Sequence, residues 1–107
     1  MGRGQQGQPS VEVGEGEQML PLREVAHLVG EQVQYLSRYH TGVGGSVVLS
    51  EGLRISGDGA DYHSLLVHPD DVDELARRVV KHRIEQHMLT PEAMEELEQR
   101  ILVRRSA

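Results

Sequence analysis

Apolar residues recur at steps of three and four in three stretches of this chain, and a glycine-rich middle separates the first stretch from the other two. That step is the period of one helix face. A chain so patterned must close helices over whatever forms between them. Leu22, Val25, Val29, Val33 and Leu36 make the first stripe. It predicts a helix from Pro21, a residue suited to a first helical position, to about His40. Ala26, Leu28 and Tyr35 widen the apolar arc, so this helix is expected to touch neighbours on two sides. Gly30 costs about 1 kcal/mol against Ala inside a helix; it marks a close approach of another backbone, or nothing. Thr41-Gly42 and Gly44-Gly45 stop the helix with a left-handed cap.

The stretch HTGVGGSVVL at 40–49 invites comparison with a phosphate loop. A phosphate loop leaves a strand and enters a helix, whose first amides face the anion. Here the order is helix, glycines, strand, and Ser46-Val47 stands where the Walker pattern needs Lys and then Ser or Thr. The glycines read as a helix stop and turn. Val47 to Leu49 and Leu53 to Ile55 then predict either a hairpin with Glu51-Gly52 at its tip or one bent strand, because Val47, Leu49, Leu53 and Ile55 share a side. Gly57 to Asp61 reads as a turn. A strand follows from Tyr62 to Val67, with Leu65 and Val67 on one face.

Pro69-Asp70-Asp71 opens a second helix with Val72, Leu75, Ala76, Val79, Val80 and Ile84 on its apolar face. Thr90-Pro91-Glu92 opens a third, with Met94, Leu97 and Ile101 in line and Leu102 beside them. In both, acids lead and bases follow, the order that complements the helix dipole. Their short link predicts an antiparallel pair. The expected fold is α+β: one N-terminal helix, a small two- or three-stranded antiparallel sheet, then two C-terminal helices packed as a hairpin. The first five elements resemble, in order alone, the double-stranded RNA-binding domain. That fold meets phosphates with lysines at the start of its second helix. This chain reads HPDDVDE there, and four acids repel a nucleic-acid backbone.

The 107 residues suffice for one domain, expected over 20–107. Residues 1–19 hold glycine and glutamine and few apolar side chains. Too little apolar surface is available there to offset the entropy of ordering, so a disordered tail is expected. With three Tyr and no Phe or Trp, the core must be aliphatic and stability must lean on many small contacts or on a partner surface. No cysteine is present, so disulfides, thiolate metal sites and cysteine nucleophiles are excluded. The opening MGRGQQGQPS lacks the apolar run of a signal peptide, and no apolar stretch is long enough to cross a membrane. A soluble, cytoplasmic protein is expected.

Six histidines raise the question of a metal. Two ligands on one helix face need a spacing of three or four. His82 and His87, and likewise His63 and His68, are five apart; only His27 and Glu31 are spaced well, and no HExxH occurs. Asp58 and Asp61 lack the rest of a calcium loop, and no serine sits in a GxSxG elbow. Neither a catalytic residue, a metal site nor a cofactor is expected. The bases Arg77, Arg78, Lys81 and Arg83 form the most suggestive group, either a solvated face neutralised by Glu74 and Glu85 or a dock for an acidic partner. Together with Leu28 and Tyr35 they are the expected partner-binding residues. A net charge of −6 opposes nonspecific attraction to nucleic acid. The expected function is a small non-enzymatic interaction module, a self-associating subunit of a larger assembly. The alternative is a nucleic-acid-associated regulator using the basic face of the second helix. A small metal-dependent enzyme is a distant third.

Overall fold

The computed structural model describes residues 18–57 and 64–106. The tail expected over 1–19 falls, up to residue 17, outside the described residues, as do Asp58 to Asp61 of the expected turn, and Tyr62 and His63. The architecture is α+β, with four α-helices and a three-stranded antiparallel sheet among the described residues.

The strands are short: β1 Leu20–Pro21, β2 Ile55–Ser56 and β3 Leu66–Val67. Their order is β1-β3-β2, with Leu20 and Ile55 both opposite Val67. One bond beyond each ladder lengthens the pairing. Leu22 N–H donates to the Leu65 carbonyl at 3.2 Å, and His68 N–H to that of Arg54 at 2.9 Å. Pro21, expected to open a helix, instead pairs with Leu66 in β1. An edge strand tolerates a proline, which has no N–H to donate.

The long first helix is two helices. The first, α1, spans Arg23–Val29, and the second, α2, spans Val33–Thr41. Gly30 ends α1 at φ 72°, with its N–H on the Ala26 carbonyl at 2.9 Å. A Cβ there would meet nothing within 4 Å. Gly30 is therefore needed for its left-handed backbone and not for a close approach. The end of the region falls where expected: Gly42, φ 75°, caps α2.

Neither form of the expected strand over 47–55 occurs, apart from Ile55 in β2. Val43–Gly45 is a short 3₁₀ turn, and 46–54 runs without a ladder. Side chains and isolated backbone bonds hold this segment. Leu49 N–H donates to the Tyr39 carbonyl at 2.6 Å. Arg78 Nη1 donates to the carbonyls of Leu49 and Glu51 at 3.0 and 2.7 Å. The His40 ring nitrogen Nδ1 lies 2.8 Å from the buried Ser50 hydroxyl. Glycine is required at Gly57, after β2: φ is 118° and a Cβ would fall onto the Ser64 carbonyl.

The C-terminal helices follow the sequence closely. A 3₁₀ turn, Pro69–Asp71, leads into α3, Val72–Glu85, and α4 spans Glu92–Ser106. The buried His68 caps the turn, its Nδ1 accepting from Asp70 N–H at 3.1 Å. At the head of α4, its own amide and then the Thr90 hydroxyl hold the Glu92 carboxyl below the ordinary carboxylate range. The two helices are antiparallel: Asp73 at the start of α3 meets Arg105 at the end of α4, and Arg77 meets Glu98. The core between the helices and the sheet contains Val25, Leu36, Leu65, Val67, Val72, Val79, Leu97 and Ile101. It is aliphatic throughout, as the composition requires.

Candidate interaction surface

The last turns of α4 carry the run Ile101-Leu102-Val103, ahead of Arg104 and Arg105. Successive helix residues are turned by about 100°, so three in a row cannot share one face. Ile101 joins Leu97 in the core, whereas Leu102 is 58% and Val103 70% exposed. Beside them runs a groove of about 420 Å³ between α1 and α4, lined by Glu24, His27, Leu28, Gln99, Arg100, Val103 and Arg104. Arg100 crosses it, donating from Nη1 to the Leu28 carbonyl at 3.1 Å. That bond satisfies an end carbonyl of α1 and sets a positive charge at the negative end of its dipole. At the far end, Arg104 lies 3.9 Å from Glu24 and 3.5 Å from Asp73.

The six residues expected to bind a partner do not form one surface. Leu28 lies in the core and borders this groove. Tyr35 is exposed, 6.0 Å from the Arg38 guanidinium, and lines a second cleft together with Arg83. The bases of α3 are largely engaged within the chain. Arg77 grips Glu98 of α4 through Nε at 2.7 Å and Nη2 at 3.1 Å. That pair raises the Arg77 guanidinium above its ordinary value and holds the Glu98 carboxyl below its own. Arg78 bonds Glu74 as well as the two loop carbonyls. Arg83 pairs with Glu31, between α1 and α2, at 2.8 Å. Lys81 is exposed, with no ion pair among the described residues.

The partners of Arg77 and Arg83 lie 21 and 52 residues away, and Arg78 reaches two distant loop carbonyls besides its neighbour Glu74, so reading along the chain could not tell the group from a solvated face. The outward apolar pair of α4 did leave a signal: a run of three aliphatics in a helix.

The histidines lie apart. His82 packs edge-on to Tyr39, His68 caps a turn, His40 bonds Ser50, and His63 is outside the described residues. Among the described residues no three His, Cys, Asp or Glu side chains are placed to share a metal ion. No helix there is long and apolar enough to cross a membrane. Comparison with protein families, with curated proteins and with solved structures finds no match to this chain.

Proposed function

We propose that this protein is a non-enzymatic interaction module that associates with itself through the outward face of α4, as a cytoplasmic subunit of a larger assembly. The observation that carries the reading is the exposure of Leu102 and Val103 beside the apolar α1–α4 groove. Adjoining apolar surface of this kind marks an association site more often than a scattered exposed leucine does. A second copy suits it by charge. Acids occupy the first half of α4 (Glu92, Glu95, Glu96) and arginines the second (Arg100, Arg104, Arg105). Two such helices laid antiparallel set opposite charges together at both ends, the self-complementarity that a two-fold interface requires, with Arg100, Arg104 and Arg105 also engaged within their own chain. It offsets the mutual repulsion of two chains of net charge −6.

The nucleic-acid reading would need the bases of α3, and Arg77, Arg78 and Arg83 already hold carboxylates or carbonyls of their own chain. The test is sedimentation velocity from about 1 to 100 μM, the range where weak interfaces appear, at low and high salt. Reversible association little affected by salt is expected, and Val103→Glu should abolish it while leaving the fold intact. A monomer at every concentration, with a melt independent of concentration, would overturn the proposal.

A further inference from the structure

Seven arginines of the described chain bond groups elsewhere in it, and three of them hold carboxylates in one way. Arg54 grips Asp71, Arg77 grips Glu98 and Arg105 grips Asp73, each through the Nε and Nη2 edge of the guanidinium. This edge matches the two oxygens of a carboxylate. Arg83 departs from the pattern. Glu31 occupies its Nη1 at 2.8 Å, and its Nε, sealed from water, has no hydrogen-bond partner. An unmet donor at such depth is destabilising by about 1–3 kcal/mol, and native proteins rarely carry one without a use.

Arg83 lines a cleft of about 380 Å³ with Glu31, Tyr35, Arg38, Tyr39, Ser46 and Met88. The size falls in the range of small-molecule sites. Two of the chain's three tyrosines lie here. Arg38 has no carboxylate partner among the described residues; its guanidinium lies over the Tyr35 ring at 6.0 Å. It is also hemmed in by the glycine turn, for a Cβ on Gly44 would come within 2.8 Å of its Nη2. The cleft thus offers two guanidiniums, two phenol rings, a hydroxyl and a thioether. Among the described lining residues, Glu31 alone stands against the two positive charges.

From the unpartnered Nε of Arg83, the unpaired Arg38 and the tyrosine pair, we infer that this cleft binds a small monocarboxylate carried on an aromatic or apolar body. The carboxylate lies between Arg38 and Arg83, reaching the buried Arg83 Nε as the side chains that cover it move aside, and the body packs on Tyr35, Tyr39 and Met88. One negative charge matches the lining's balance of one positive charge. A phosphate monoester would bring a second charge up against Glu31. The inference is independent of self-association, because the cleft and the α1–α4 groove share no lining residue.

The test is a titration of the full ¹⁵N-labelled chain with sodium benzoate, followed through the arginine Nε–H and backbone amide signals. Saturable shifts at Arg83 and Arg38 Nε–H and at the amides of 35–46 are expected. Arg38→Ala, at an exposed position, keeps the fold and should weaken binding about tenfold, the scale of one charge-assisted hydrogen bond. Tyr35→Ala should weaken it by less. Arg83→Lys keeps the charge but loses the fork, and should weaken benzoate more than Arg38→Ala does. The inference fails if benzoate leaves these signals unmoved, if benzyl alcohol moves them equally, or if Arg38→Ala binds as the parent does. Tighter binding of phenyl phosphate than of benzoate would overturn the assignment to a monocarboxylate.

Discussion

His87 is the one non-glycine residue at positive φ, 61°, among the described residues. It closes α3. Its N–H donates to the Ile84 carbonyl at 3.0 Å, and Met88 N–H to that of Arg83 at 2.8 Å. Those two bonds define a Schellman cap, whose left-handed position glycine fills best. A side chain there costs roughly 1–2 kcal/mol, part of which glycine returns as unfolded-state entropy. His87→Gly is therefore expected to stabilise the chain by about 1 kcal/mol, measured as a shift of the urea midpoint with an unchanged slope. Among the described residues the His87 side chain makes no hydrogen bond or ion pair that the substitution would remove. At Gly57 the same argument runs the other way, since any side chain meets the Ser64 carbonyl.

Ion pairs tie one element to another, and their value depends on which partner is buried. Asp73, 3% exposed, lies at the head of α3 against Arg105, 62% exposed, and Arg104. Replacing both arginines by Ala leaves the Asp73 carboxylate without either ion pair and is expected to cost about 3 kcal/mol. Asp73→Asn leaves Arg105 able to turn to water, and is expected to cost about 1 kcal/mol. Chemical denaturation of the two variants measures the difference; equal losses would show that burial does not set the cost.

The second tie joins Arg54, just before β2, to the turn before α3. Asp71 accepts from Arg54 N–H at 2.8 Å, Nε at 2.9 Å and Nη2 at 3.1 Å. The Arg54 guanidinium, foremost, holds the Asp71 carboxyl below its ordinary value against the opposing effect of burial. The unfolded chain thus binds this proton more tightly than the folded one. The stabilisation is complete above about pH 4, the unfolded value, and is lost as pH falls through the folded value. Asp71→Asn is expected to cost about 1 kcal/mol at pH 7. The gap in urea midpoint between the two proteins should narrow as pH falls from 6 to 3.

How far each element could be read from sequence follows from its length. α3 and α4 carry several turns of stripe, with charges ordered along the dipole, so residue types suffice to find them. The break at Gly30 was hidden because Val29 and Val33 keep the step of four across it. Strands of two residues are too short to show alternation, and Leu20–Pro21 looked like a helix start because proline suits both places. The two clefts lie between elements distant in sequence. Only the run Ile101-Leu102-Val103 announced that α4 has more than one apolar side.

At the scale of the molecule, arginines bind the parts together. Arg83 ties α3 to the α1–α2 join, Arg100 ties α4 to the end of α1, Arg77 ties α3 to α4, and Arg78 reaches the loop over 46–53. With no large aromatic wedge in the core, these bonds fix directions that aliphatic packing alone leaves loose. They also account for the acidic chain's basic face, whose arginines are met internally while Lys81 stays exposed. The proposed self-association should then appear as a melting temperature that rises with protein concentration in the parent and stays constant in Val103→Glu, because association through a folded face stabilises the native state alone.

The segment over 46–53 is held by a guanidinium, a Ser–His bond, backbone bonds of its Ser46 and Leu49 amides and the packing of Leu49 and Leu53 against the core, and it is woven into no ladder. Its opening therefore need not unzip the sheet or separate α3 from α4. Such a flap can lift and settle many times within the lifetime of one folded molecule, and its amides would trade protons with water long before those of the helices do.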